Sequence, residues 1–200
     1  MKKIILIITL FFATTAMSQG VKFGLNISPS WKLKLTKQKG TGLRSSQGGY
    51  GFNVGIPIKY WINEFTSFNT GLDYEFTAFD SYNNGFLVSS FRFNSLHLPL
   101  MFNIHLSGPL YAMVGSGIIY NMSVRDLNIL AGSDLSDQSN NIQPYLGLGI
   151  NSLIEKDFGY FEVGVQGRYQ LLDIWKSTYE PEENFNSHLV SLDLVLRYYF

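Results

Sequence analysis

The sequence predicts an all-β fold, an eight-stranded antiparallel up-and-down barrel that crosses a membrane. Three observations predict it: apolar and polar residues alternate in eight segments, the connections between them are alternately short and long, and the composition is poor in charge and rich in aromatic rings. Only 15% of residues are charged, below the roughly 25% of soluble domains, while 16% are aromatic and 19 are glycine.

The amino-terminal stretch sets the context. Lys2 and Lys3 precede an apolar run from Ile4 to Ala13, and the small residues Ala16 and Ser18 follow at a spacing suited to cleavage. Residues 1–18 therefore read as a secretory signal peptide and 19–200 as the barrel domain. The run is shorter than the roughly 20 residues of a helical membrane span. The sequence contains no cysteine, which excludes a lipoprotein anchor, disulfides and thiolate metal sites. Net charge is zero, so no nucleic-acid footprint is visible.

Side chains along a strand point to opposite faces at each step, so each alternating segment has one apolar and one polar face. Segment 21–27 sets Val21, Phe23, Leu25 and Ile27 against Lys22, Gly24 and Asn26. Segment 50–60 opposes Phe52, Val54, Ile56 and Ile58 to Asn53, Gly55, Pro57 and Lys59, and 68–78 opposes Leu72, Tyr74 and Phe76 to Asn69, Asp73 and Glu75. Segment 95–106 opposes Leu96, Leu98, Leu100 and Phe102 to His97, Pro99 and Asn103. Segments 110–120, 142–154 and 160–171 repeat the pattern, with Gly115, Gly117, Gly147, Gly149, Glu162 and Arg168 on the polar side. Segment 188–200 closes the series: Val190, Leu192, Leu194, Leu196, Tyr198 and Phe200 share a face, and Ser191, Asp193, Arg197 and Tyr199 share the other, with Leu189 and Val195 as apolar exceptions. The connections near 61–64, 107–109 and 155–158 are short, whereas 28–49, 79–90, 121–141 and 172–187 are long and polar. Segments of about 10 residues suffice to cross hydrocarbon at the usual tilt. Backbone groups in lipid must all be paired, so the eighth strand is expected to pair with the first.

Aromatic residues fall at both ends of the strands. Tyr60, Trp61, Phe102, Phe158, Phe161, Tyr198 and Phe200 mark the short-turn side, and Trp31, Tyr50, Phe76, Phe91, Phe93, Tyr120, Tyr169 and Trp175 the long-loop side, as two interfacial belts would. Pro57 and Pro99 lie inside strands, where bulging or local loss of pairing is expected. Phe65 and Phe79 depart from the parity of their neighbours, an expectation that the third strand frays or bulges at both ends.

The closing LDLVLRYYF, the fourth-strand LHLPLMFNI, the glycines of GSGIIY and YLGLGI, and the seventh-strand GRYQLLDIW resemble the outer-membrane β-barrel domain of Bacteroidota-type bacteria, the small PorT-like or porin-family barrels. The resemblance spans residues 20–200. It implies residence in the cell outer membrane, with long loops extracellular and short turns periplasmic. It also implies that Leu192, Leu194, Leu196, Tyr198 and Phe200 are read as an assembly signal by the β-barrel assembly machinery, after escort by periplasmic chaperones.

An eight-stranded barrel is just wide enough for side chains to fill. The inward charges Lys59, Asp73, Glu75, Glu162, Arg168, Asp193 and Arg197, with His97 beside them, are expected to pair into a plug, Glu162 with Arg197 and Arg168 with Asp193. His97, His105 and His188 lack metal-ligand spacing, and a His97–Asp73 pair with a nearby serine lacks a nucleophile motif, so neither a metal, a cofactor nor an enzymatic activity is expected. The paired glycines open no helix and cradle no phosphate; they make room for lumen rings such as Tyr111 and Tyr145. The first long loop carries Lys32, Lys34, Lys37, Lys39 and Arg44 and no acid, whereas the last carries Asp173, Glu180, Glu182 and Glu183 against Lys176. The basic loop either neutralises its acidic neighbour or meets lipopolysaccharide phosphates or another anionic ligand. A monomeric structural, surface-binding or adhesion protein with a plugged lumen is the main expectation; a narrow pore for small solutes and, third, a membrane-embedded enzyme are the alternatives.

Overall fold

The computed structural model describes residues 20–38, 42–83, 86–127, 133–174 and 185–200. The leader read at 1–18 lies outside the described residues. Nine strands follow in order: β1 (Val21–Gln38), β2 (Gly42–Asn63), β3 (Thr66–Asn83), β4 (Phe86–Ser107), β5 (Leu110–Asp126), β6 (Ser133–Asp134), β7 (Ile142–Lys156), β8 (Gly159–Gln170) and β9 (Phe185–Tyr199). Eight of them form an antiparallel ring in chain order, closed where β9 pairs with β1. The two-residue β6 pairs only with the loop end of β5. Following the register from Tyr160 on β8 through Tyr199, Gly24, Pro57, Gly71, Pro99, Gly117 and Tyr145, with the flanking pairs carrying it across the unpaired Gly24/Pro57 and Gly71/Pro99 positions, leads back to β8 at Gln170, ten residues further along. Such a stagger over eight strands tilts them by roughly 40°.

The outer face is apolar. Leu25, Ile56, Leu72, Leu100, Leu148 and Val165 are exposed on six different strands, and their neighbours along each strand face inward. Ten residues at this tilt climb about 25 Å, the height of a lipid-facing band. Tyr60, Phe102, Phe158, Phe161, Tyr198 and Phe200 lie outside at the short-turn end, and Trp31, Tyr50, Phe76, Tyr120 and Tyr169 outside at the other. Three rings assigned to these belts belong elsewhere: Trp61, Phe91 and Phe93 share the inward parity and pack inside the barrel mouths. Trp175 lies outside the described residues.

The eight ring strands run 12 to 22 residues, longer than a bilayer requires. Much of the expected loop 28–49 is a paired hairpin, with Lys32 opposite Gly49 and Lys34 opposite Gln47. Antiparallel pairing satisfies the backbone whether lipid or water lies outside, so the ladder continues past the apolar band. Phe79 does not mark fraying, since it faces inward, fully buried, and β3 continues to Asn83; near the two ends of β3 the ladders shift register, at Trp61/Asn63 on β2 and at Ser81/Tyr82. Phe65 sits in a turn where Asn63 Oδ1 accepts from the N–H groups of Phe65 and Thr66 at 2.8 and 2.9 Å.

Pro57 and Pro99 face the lumen, and each loses pairing on one side. The β1–β2 ladder skips Gly24–Leu25 opposite Ile56–Pro57, and the β3–β4 ladder skips Thr70–Leu72 opposite Leu98–Leu100. Gly71 stands between the two prolines with φ +151°, and a Cβ there would collide with the Ile56 carbonyl oxygen. Only glycine combines that φ with so close an approach.

A ring with no free edge inside lipid keeps its hydrogen bonds in mild detergent. Unboiled protein should therefore migrate differently from boiled protein on a detergent gel; equal mobility, with no β signal by circular dichroism after refolding, would contradict the closed ring.

Candidate functional site: the lumen

Alternation places every second residue of each strand inside, and the inward set is polar. Lys59, Asp73, Glu75, His97, Glu162, Arg168, Asp193 and Arg197 all lie there, none more than 8% exposed. Lys32 joins them. It was assigned to the first long loop, but β1 carries it into the lumen, 5% exposed, with its Nζ 2.6 Å from Glu75 Oε1 and 3.9 Å from Asp193 Oδ1. This changes the charge balance, because the sequence-assigned set held three cations against four anions and Lys32 supplies the fourth cation. Lys34 of the same basic group does not join it. Lys34 lies 5.2 Å over the Phe91 ring, Lys37 and Arg44 belong to β1 and β2, and Lys39 and the side chains of Lys37 and Arg44 lie outside the described residues.

The charges form two groups. Toward the loop end, Arg168 makes a two-pronged contact with Asp193, Nε to Oδ2 at 2.6 Å and Nη2 to Oδ1 at 2.9 Å, and reaches Glu75 Oε2 with Nη1 at 2.7 Å. Lys32 completes this quartet. Toward the short-turn end, Glu162 accepts from Arg197 at 2.6 Å, from Asn151 at 2.8 Å and from Lys59 at 3.3 Å. Lys59 Nζ also lies 4.2 Å from the Tyr111 ring centre and within 6 Å of those of Trp61 and Tyr199. Taking an ion out of water costs several kcal/mol, and only multiple well-placed partners offset that cost. The bidentate arginine and the aromatic enclosure of the ammonium are of that kind.

Between the groups, Asp73 Oδ2 stands 3.3 Å from His97 Nδ1, and His97 Nε2 shares a 2.7 Å hydrogen bond with the Tyr145 hydroxyl. The histidine thus connects to a phenol and not to a serine; the nearby Ser95 donates to Asn121 instead. Gly117 gives the phenol its space, since a Cβ there would strike the Tyr145 hydroxyl.

Side chains pack in both mouths. At the loop end, Phe79, Phe93, Val124, Leu135, Ile174 and Leu189 form an apolar cap. Two of these come from the connections: Ile174 is fully buried, its N–H donating to the Ser187 carbonyl at 2.9 Å, while Asn140 and Gln143 side chains each donate to the Asp173 carbonyl at 2.8 Å. A cavity of about 10 Å³, close to the size of one water, lies between this cap and Glu75, Thr77, Ser95 and Asn121. At the short-turn end the His105 ring stacks on Trp61 at 4.7 Å, and its Nε2 lies 3.3 Å from the Ser67 hydroxyl.

The cap was not read from the sequence, although Leu189 had broken the polar parity of its strand and so signalled an inward apolar patch. Of the sequence-assigned assembly residues, Leu192, Leu196 and Phe200 are exposed on the outer face, and Leu194 and Tyr198 are half-buried there. The Phe200 N–H donates to the Phe23 carbonyl at 2.9 Å, and its ring lies 6.3 Å from that of Tyr198.

Comparison with known proteins bears on the fold. No protein-family model matches the chain, and no curated protein matches it. Among solved structures, the crystal structure of Neisserial surface protein A is similar at 13% identity, covering 88% of this chain and 97% of that one with a TM-score of 0.53. The attachment invasion locus protein Ail of Yersinia pestis is 15% identical over 90% of this chain and 99% of its own, at a TM-score of 0.46. The fold is that of the small eight-stranded outer-membrane β-barrels.

Replacing Lys32 by Ala should lower barrel stability by roughly 1–3 kcal/mol, because it removes a charged hydrogen bond from buried Glu75. Urea unfolding in lipid vesicles would measure it. Arg197→Ala should cost a similar amount through Glu162, whereas Lys34→Ala at the half-buried rim should cost less than either.

Proposed function

We propose that the protein is an integral outer-membrane barrel of structural, surface-binding or adhesion type whose lumen does not conduct. The observation that carries this reading is the filled interior, two ion-paired groups beneath an apolar cap inside an apolar outer band. A conducting pore needs a continuous water-filled path lined by groups that bind weakly enough to release. Here the inward charges are bound to one another. The long hairpins then hold the partner-facing surface, and the long-loop end faces outward from the cell. The resemblance to Bacteroidota-type barrels supports the same placement.

Leu192, Leu194, Leu196, Tyr198 and Phe200 form the outward stripe of the closing strand, which suits a segment that assembly machinery must select before the ring closes. Surrounding lipid and lipopolysaccharide are the expected neighbours of the outer band. Lys34, Lys37, Lys39 and Arg44, close together in sequence, remain the candidate residues for an anionic ligand, without Lys32. The protein acts without enzymatic turnover in this reading, as a monomer.

Planar-bilayer recording tests the central point. The native protein should show no steady unitary conductance, and a reproducible ohmic level would favour the narrow-pore alternative. Deleting Phe200 should reduce the amount in the outer membrane and leave precursor in the periplasm, while the same deletion refolds in vitro. Unchanged membrane levels at native expression would remove the signal role of that residue.

A further inference from the structure

Two arginines face each other on the outside of the barrel at its loop end. Arg92 on β4 is the direct register partner of Arg125 on β5. Phe91, Phe93 and Val124 beside them belong to the interior cap, so both guanidinium-bearing side chains lie on the outer face. Like charges directly opposite on neighbouring strands repel. Two nearby acids balance the pair in charge. Asp80 Oδ1 accepts from Arg92 Nη1 at 2.8 Å and from the Ser90 hydroxyl at 2.5 Å. Asp134 on β6 is the register partner of Arg125, but its Oδ1 accepts from the N–H and hydroxyl of Ser136 at 3.0 and 2.6 Å. Those bonds hold its carboxyl below the usual carboxylate range and keep it ionised. The patch therefore presents two adjacent cations flanked by two anions, with a guanidinium's five donors on each arginine.

Its height on the barrel is defined by the residues below. The outward pair Leu96–Tyr120 is the last apolar pair on β4 and β5, followed by Asn94–Ser123, whose side chains bond at 2.9 Å, and then by Arg92–Arg125. The Tyr74 hydroxyl donates to Asn94 at this level. Four residues of tilted strand separate the arginines from Leu96, about 10 Å of height. Long arginine side chains can lean down toward the interface, where lipid headgroups lie.

We propose that Arg92, Arg125, Asp80 and Asp134 form a surface site for the phosphoethanolamine headgroup of a membrane lipid, its phosphate on the arginines and its ammonium on the carboxylates. A purely anionic headgroup meets both acids unfavourably; a zwitterion satisfies all four side chains. The acyl chains then lie along Leu96, Ile118, Tyr120 and Met122, continuous with the outer band. The inference rests on the membrane-spanning reading.

Native mass spectrometry of the purified full chain, released from detergent with equal amounts of phosphatidylethanolamine, phosphatidylcholine and phosphatidylglycerol of identical acyl chains, tests it. Phosphatidylethanolamine should be retained in preference to both others, because choline has no N–H to donate and glycerol has no positive charge. Arg125→Gln should weaken that retention about tenfold, the worth of one charge-assisted bond. Asp134→Asn should erase the preference over phosphatidylcholine, and Lys156→Gln at the short-turn end should change nothing. Equal retention of the three lipids by the native chain, or unchanged retention by Arg125→Gln, overturns the site. Gel mobility of the same samples with and without boiling separates the outcomes: loss of the heat shift in the native protein defeats the membrane reading itself, and an intact heat shift with no lipid preference defeats only the site.

Discussion

The structure depends on one constraint, that a backbone N–H or C=O facing hydrocarbon must find a partner within the protein. A single sheet meets it only by closing, and closure at eight strands fixes the rest. The β9–β1 pairing makes the ring, the ten-residue stagger sets the tilt, and the tilt turns about ten residues into one bilayer crossing. The prolines show how closely the constraint is kept. Each removes one donor, and each sits where pairing is lost on one side only. The other side of each stays in register, with Pro57 opposite Gly71 and Pro99 opposite Gly117.

Closure also dictates the interior. The outer face must be apolar, so the alternating face is the only place for polar residues within the membrane layer, and an eight-stranded lumen is too narrow to hydrate them as bulk water would. Charged residues placed there must bind one another. Their lengths then decide who meets whom. Arg168 is long enough to reach across to Glu75 on β3 while holding Asp193 on the adjacent β9. Lys59 is left with one carboxylate at 3.3 Å and a surround of aromatic rings. Asp73, short and central, meets an imidazole.

The barrel was legible in the sequence because its code has period two and each strand repeats it. Strand count, turn alternation and the lumen parity of Glu162, Arg168, Asp193 and Arg197 follow from that code alone. Strand length did not, because the apolar signal ends where lipid ends while backbone pairing continues. The WKLKLTK stretch still alternates, Leu33 and Leu35 against Lys32 and Lys34, and that parity would have put Lys32 inside had the run of lysines not read as a loop. Contacts between distant strands are beyond any local pattern. Nothing near Ile174 or Leu135 in sequence announces that both descend into the mouth beside Phe79 and Phe93. Trp61 and Phe91 were misplaced for a related reason: an aromatic ring at a strand end suits a belt or a mouth equally, and only its parity distinguishes them.

The lumen charges have a further consequence for how such a chain can change over time. Strands β1 to β4 contribute Lys32, Lys59, Asp73 and Glu75, and strands β5 to β9 contribute Glu162, Arg168, Asp193 and Arg197, so each half of the hairpin series is neutral by itself, leaving His97 aside. Beside the pairs within each half, three ion pairs run between halves: Lys32 with Asp193, Lys59 with Glu162, and Glu75 with Arg168. Neutral halves let either portion enter the membrane layer without carrying net charge ahead of its counterpart. The cross-links mean that neither portion can drift in its inward residues alone. A lineage of such barrels would be free to vary its outer face and hairpins residue by residue, while its interior would have to exchange acids and bases in matched pairs.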